Sequence, residues 1–218
     1  MEKSIESIWE QGFLNKEALI VPKLNNLYEK KSISLVEKYK RMFNKNMMLL
    51  SLASIILLVF TLLIGMPFMG IPMFVILNVM VLIDKTFANK LNQIDNTKTC
   101  YHYLKKVKTW MDHKTSVNSM LARVLYPYMF ISMFLGYWYF DLNGTIIGKR
   151  VVYLLSEYYP NIALVFGFPL CILLVVFVVA IALSYLGKSI YLWDLKLGYG
   201  NILKRINDLL SDIEELRN

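Results

Sequence analysis

Four stretches of this chain run without a charged residue: Met47 to Gly65, Met66 to Ile83, Val124 to Phe140 and Asn161 to Gly187. A hydrocarbon core about 30 Å thick takes roughly 20 helical residues. Each stretch is therefore able to span it, the third barely and the fourth with length to spare. Apolar residues within them are continuous rather than periodic, as a lipid surround permits. One such stretch fits a buried helix in a large soluble protein, but four in 218 residues leave too little polar surface to cover them. The expected fold class is all-α: a polytopic membrane protein with four transmembrane helices.

Outside these stretches the pattern becomes periodic. In the tail, Leu192, Leu195, Tyr199, Ile202, Ile206, Leu209, Ile213 and Leu216 follow alternating steps of three and four, a heptad seam. Gly198 and Gly200 are expected to weaken or kink it. The uninterrupted seam Ile202, Ile206, Leu209, Ile213, Leu216 is too short for a self-standing dimer, and Leu203 and Leu210 widen its stripe, which suits packing in a helical bundle. Phe87, Leu91, Ile94, Tyr101 and Leu104 predict a stalk helix continuing from span two, with the chain restarting at Thr115 or Ser116. Near the start, Ser7 and Glu10 form a capping box, Gly12 breaks the chain, and the apolar cluster from Phe13 to Val21 stops at Pro22. From Leu24, the residues Leu27, Tyr28, Ile33, Val36, Tyr39 and Phe43 mark one face of a helix whose back is basic and which runs into span one.

This divides the chain into amphipathic helices at 1–46, a transmembrane hairpin at 47–83 and a stalk and loop at 84–123. Spans three and four follow at 124–186, with an outer interfacial segment at 141–160, and a terminal helix at 187–218. Charge orients these pieces. Lys and Arg near span ends stay in the cytoplasm, and 22 of the 24 basic residues fall in 1–46, 84–124 and the tail after Gly187. Both termini and the central loop are therefore expected in the cytoplasm, giving a helical cytoplasmic module built from three segments. Tyr126 and Tyr128, Tyr137 to Tyr139, Tyr158 and Tyr159, and Tyr185 to Trp193 supply aromatic belts at both boundaries. Val151 to Tyr159 reads as an outer helix lying in the interface. Asn143-Gly144-Thr145 is formally a glycosylation sequon, but Asn-Gly is read as a turn.

Composition agrees: the chain is 56% hydrophobic with a mean hydropathy of +0.46. The first 46 residues are polar, so the first span is expected to be a retained anchor rather than a cleaved signal. The net charge of +8 requires no nucleic acid, because each Lys or Arg beside an anionic leaflet gains about 1 kcal/mol. The bilayer itself is the partner that charge predicts. Cys100 and Cys171 are expected to be reduced and unpaired.

Candidate chemistry is sparse. The spans hold no Asp, Glu, Lys, Arg or His, only Ser51, Ser54, Thr61, Asn78, Ser132 and Ser184 among their polar residues. Ion relays usually need ionisable groups at that depth, and a helix-to-helix hydrogen bond accounts for Asn78. Pro72 is read as sitting at the start of span two, which leaves Pro169, beside Gly167, as the irregularity in span four. His102 and His113 lack the partners of a zinc set and read as surface residues. Asp84 and Asp141, the acids nearest the bilayer boundary, read as ordinary helix-end residues. No catalytic residue, metal site or cofactor is expected, and the protein is not expected to be an enzyme.

The opening residues, Ile8-Trp9-Glu10-Gln11-Gly12-Phe13-Leu14, Ala18 to Tyr28 and Lys40-Arg41-Met42-Phe43, resemble an uncharacterised family of small Bacteroidota membrane proteins. The resemblance places the chain in a bacterial inner membrane. Association of that family with extracytoplasmic-function sigma factors implies a membrane-tethered regulator, an anti-sigma factor holding a sigma factor as its cytoplasmic partner. Trp9, Phe13, Leu14, Leu24, Leu27 and Tyr28 are the expected partner-binding residues. The rival reading is a small pore or carrier lined by Asn78, Ser51, Ser54, Thr61 or Ser184, and homo-oligomerisation stays open.

Overall fold

The computed structural model describes residues 5–94 and 100–215, with side chains described from Glu29 onward. The described residues are helical apart from two small hairpins and short connecting turns. Helix α1 spans Ile5–Ile64, α2 Pro67–Asn92 and α3 Cys100–Trp138. A hairpin of β1 (Asp141–Leu142) and β2 (Thr145–Ile146) leads into α4, Ile147–Tyr158. A second hairpin, β3 (Leu164–Val165) and β4 (Phe168–Pro169), leads into α5, Leu170–Glu215. Helices α1, α2, α3 and α5 are long and apolar enough to cross a membrane. They run up and down, so the α2–α3 connection and the C-terminal end of α5 meet at one end of the molecule and the hairpins lie at the other.

Each long helix has two parts with opposite surfaces. Over the apolar stretches the large side chains face outward: Leu63 is 82% exposed, Val178 64% and Leu82 63%. Close helix approaches hold this part together. A side chain at Gly70 would collide with Thr61 of α1, and one at Gly187 with the α3 backbone at Ala122 and Arg123. Small residues at such crossings are how helices pack without a hydrophobic drive between them. Asn78 donates to Ser54 Oγ of α1 at 3.1 Å and to the Phe74 carbonyl at 2.8 Å, the helix-to-helix bond its sequence position predicts.

Beyond the apolar stretches the same helices close on an ordinary water-excluding core. Leu35, Val36, Tyr39 and Phe43 of α1 meet Phe87, Ala88 and Leu91 of α2, Tyr103 to Met111 of α3, and Ile202, Ile206, Leu209 and Leu210 of α5. Phe43, Leu91, Leu104, Val107 and Ile206 are essentially inaccessible. Aromatic rings fill the centre: Trp110 stands edge-on to Tyr39, Phe43 and Phe87, with centroids 6.1 to 6.2 Å apart. Edge-to-face rings at this spacing add to the burial energy of the rings themselves.

Several sequence expectations change. There is no single stalk: α2 ends at Asn92 with Gln93 as its cap, and α3 runs unbroken through Thr115 and Ser116. Phe87 and Leu91 therefore face Tyr103 and Leu104 across two antiparallel helices. A stripe at helical spacing does not distinguish one long helix from two that meet. Gly12 and Pro22 lie within α1, and Gly198 and Gly200 within α5, where their strong helix-forming neighbours carry the backbone through. The N-terminal proline of α2 is Pro67, with Pro72 inside the helix.

The largest change concerns Pro169 and Gly167. Neither interrupts a span, because α5 begins only at Leu170 and residues 164–169 pair as a hairpin, Leu164 with Pro169 and Val165 with Phe168. Both hairpins turn through two consecutive left-handed residues, Asn143-Gly144 and Phe166-Gly167, the geometry that matches strand twist. Both also hand on to a helix in the same way: Ile147 N donates to Phe140 O at 2.9 Å and Leu170 N to Ala163 O at 3.0 Å. Asn143-Gly144 is thus the turn that its sequence suggests, and Asp141 lies in β1 rather than at a helix end.

Candidate functional site

The site begins with three periodicities that place polar residues on core-facing stripes. On α2, Asp84 shares a face with Phe87, Ala88 and Leu91. On α3, Lys114 and Asn118 lie one turn apart, on the face of Val107 and Met111. On α5, Tyr191 and Tyr199 precede Ile202 and Ile206 at spacings of three and four. When the helices pack, these residues converge where the apolar stretches give way to the bundle. They line a cavity of about 480 Å³ together with Tyr39, Lys45 and Asn46 of α1 and Asp194 of α5. That volume lies within the usual range of ligand pockets. Met42, Leu49, Met80, Met111, Thr115, Leu195, Gly198 and Leu203 complete the wall.

Its polar centre is an ion pair. Lys114 Nζ lies 3.3 Å from Asp84 Oδ1, with the side chains 10% and 15% exposed. Asn118 Nδ2 donates to the same oxygen at 3.3 Å. Lys114 Nζ also sits 3.6 Å from the centre of the Phe43 ring, where the face of the ring attracts a cation. Asn118 is 3% exposed, and its amide also hydrogen-bonds Tyr191, yet its Oδ1 accepts no hydrogen bond among the described residues. The orientation of that amide is fixed by chemistry, since only the NH₂ end has protons to give the Asp84 carboxylate.

Burial governs the titration of the groups in the bundle part of the helices. It lowers the Lys114 ammonium from its usual value, an effect that the charge and hydrogen bond of Asp84 oppose. Burial raises Tyr39, helped by Tyr199, Tyr191 and Asp84. Burial likewise pushes Tyr191 up to about 12, partly opposed by the hydrogen bond from Asn118. Tyr199 is raised by burial against a hydrogen bond from Asn46. The cavity thus contains neutral phenols, an ion pair and an unoccupied acceptor, a set suited to recognising a polar ligand rather than to general acid–base work near neutral pH.

The seam expected in the tail lies in the same bundle. Ile202, Ile206 and Leu209 are buried in its core and Ile213 packs against it, while Leu216 lies outside the described residues. The side chains of Trp9, Phe13, Leu14, Leu24, Leu27 and Tyr28 also lie outside the described residues. Val36, Tyr39 and Phe43, further along the same α1 stripe, are covered by the chain itself. His102 and His113 are exposed on α3. Cys100 and Cys171 are free thiols, with Cys100 Sγ 3.2 Å from Ser32 Oγ.

Asp84, Lys114 and Asn118 match no sequence motif, and none of the three is a site residue expected from the sequence. Asp84 is not a helix-end residue: α2 continues eight residues beyond it, which buries the carboxylate at the junction. The one signal for it is its spacing from Phe87 and Leu91. The polar residues expected to line a pore behave differently. Ser54 and Thr61 are 0% and 3% exposed, and each donates to a carbonyl of its own helix, at 2.7 Å and 2.9 Å.

Comparison with protein-family models, with curated proteins and with solved structures finds no match to this chain.

Proposed function

We propose that the protein is a membrane-anchored regulatory protein whose helical bundle lies in the cytoplasm of a bacterium and engages a soluble protein there. In this reading the partner is a sigma factor of the extracytoplasmic-function class. The positive-inside rule supports the orientation, since 22 of 24 basic residues belong to the end that carries both termini and the α2–α3 connection. The single observation that carries the reading is the continuity of the long helices: α1 and α5 pass without a break from the apolar belt into the bundle. A shift of helices in the membrane would then be transmitted as a rigid displacement to the other side.

The tail seam is occupied within the bundle, so partner binding falls to the part of α1 ahead of Ser32. The 27 residues from Ile5 to Lys31 amount to about 40 Å of helix. An apolar stripe with a basic back is a helix-in-groove ligand. The test is reconstitution of the full, detergent-solubilised chain with a purified sigma factor of that class. A stoichiometric complex is expected, lost in the combined Trp9→Ala, Phe13→Ala and Leu24→Ala variant but retained in Ile213→Ala. Failure of the intact chain to bind any such factor removes the anti-sigma reading.

A further inference from the structure

The cavity between the belt and the bundle has a chemistry that membrane anchoring does not require. Its position comes first. Leu49 and Met80 in its wall belong to the charge-free stretches, whereas Asn46 and Asp84 lie just past their ends. If the belt is in hydrocarbon, the cavity sits at headgroup depth. Its charge comes second. Lys45 and Lys114 balance Asp84 and Asp194, so the lining has no net charge to favour a simple anion or a simple cation. The third point is hydrogen bonding. The buried Asn118 Oδ1 accepts nothing among the described residues. Lys114 Nζ and Asn118 Nδ2 both meet Asp84 at Oδ1, so the donor side of Asn118 is engaged while its Oδ1 is not. One buried acceptor thus awaits an N–H or O–H proton beside a carboxylate, and an unmet buried acceptor carries the full cost of its lost hydration.

We propose that this cavity is a binding site for a phosphoethanolamine zwitterion, one phosphodiester and one primary ammonium, as the headgroup of phosphatidylethanolamine or as soluble glycerophosphoethanolamine. Its primary ammonium donates to Asn118 Oδ1 beside the Asp84 carboxylate, and its phosphate meets Lys45, which is exposed at the rim. A choline headgroup has the same charges but no N–H proton, so it leaves Asn118 Oδ1 unmet. The inference rests on the four-span reading and is independent of any sigma factor.

The experiment is native mass spectrometry of the full-length chain released from detergent, with phosphatidylethanolamine and phosphatidylcholine of identical acyl chains. Phosphatidylethanolamine should be retained about tenfold more tightly, the discrimination expected when a buried polar group is left unpaired. Asn118→Leu should abolish that preference. If Asn118→Leu does not fold, Gly198→Phe replaces it: a Cβ at Gly198, which lies in the cavity wall, meets no atom within 4 Å. A ring added at this lining position narrows the cavity mouth and should weaken retention of the lipid. With the preference present, displacement by millimolar glycerophosphoethanolamine supports a headgroup site open to the soluble compound, and lack of displacement supports a lipid site. Equal retention of the two lipids overturns the proposal, as does a preference that survives loss of the Asn118 acceptor or retention unchanged by narrowing of the cavity.

Discussion

The two halves of each long helix solve opposite problems with one backbone. In the apolar belt there is nothing to gain from hiding Leu or Val, and polar groups are the liability. Accordingly Leu63 and Val178 face outward, while Ser54, Thr61 and Ser132 return their hydroxyl protons to carbonyls of their own helices. In the bundle the rule reverses: Leu104, Val107 and Ile206 are sealed from solvent. The Asp84–Lys114 pair belongs to neither regime, and it lies at their border. An ion pair there is buried enough to be costly when broken, and it fixes which faces of α2 and α3 meet.

The largest effect that would separate the two regions is therefore electrostatic. Lys114→Met leaves the Asp84 carboxylate buried without its partner, and should cost about 3–5 kcal/mol. Asp84→Asn combined with Lys114→Met removes both charges and should recover most of that loss. A double-mutant cycle of unfolding in detergent measures the coupling, and additive losses would show that the pair contributes nothing specific. Next comes packing. Leu104→Ala in the bundle should cost about 2–5 kcal/mol, whereas Leu63→Ala on the lipid-facing surface should change stability by less than about 0.5 kcal/mol. Equal losses at the two positions would erase the distinction between belt and bundle.

The same contrast decides how much of the molecule is legible in its sequence. Charge-free stretches are a strong signal because hydrocarbon tolerates little else, so the four long apolar helices are legible, as is the Asn143-Gly144 turn. Which helices touch is not. The residues Phe87, Leu91, Tyr101 and Leu104 fit one stalk as well as two antiparallel helices, and only the end of α2 at Asn92 decides between them. Hydropathy puts the start of span four at Asn161, because residues 161–169 are as apolar as the helix after them. Composition does not reveal that Phe166 and Gly167 adopt left-handed backbone angles and reverse the chain. The cavity is hidden for a related reason. Asp84, Lys114 and Asn118 each sit on a core-facing stripe, but a pair 30 residues apart becomes visible only when both stripes are known to face each other.

Proton linkage gives a third way to sharpen the comparison, since tyrosines buried in the bundle titrate late. Tyr39, Tyr103, Tyr191 and Tyr199 are all raised by burial. Above pH 10 the unfolded chain loses phenolic protons that the folded chain keeps, so these residues stabilise the fold below pH 10 and that contribution fades as pH rises. For Tyr191 the loss falls between 10.0 and about 12. Lys114 acts in the opposite sense, because its lowered value lets the folded chain release a proton first, but it is one group against four. Stability measured by denaturant unfolding should fall through this window, and Tyr191→Phe should reduce the slope by as much as one proton. An unchanged slope would mean that Tyr191 is solvated in the folded protein.

The smallest effect tests whether the junction is kept open at some cost to the helix. Gly198 lies inside α5, where glycine is worse than alanine by about 0.5–1 kcal/mol. It has no left-handed backbone angle to justify it, and a Cβ there meets no atom within 4 Å. Gly187 on the same helix differs, because a side chain there would strike the α3 backbone. Gly187→Ala should thus destabilise the protein by forcing α3 and α5 apart, whereas Gly198→Ala should stabilise it by the helix-propensity difference alone. Thermal unfolding of the two variants in one detergent reads the sign of each. Destabilisation by both would mean that the wall of the cavity at Gly198 is closed in solution, which would remove the space that the zwitterion needs.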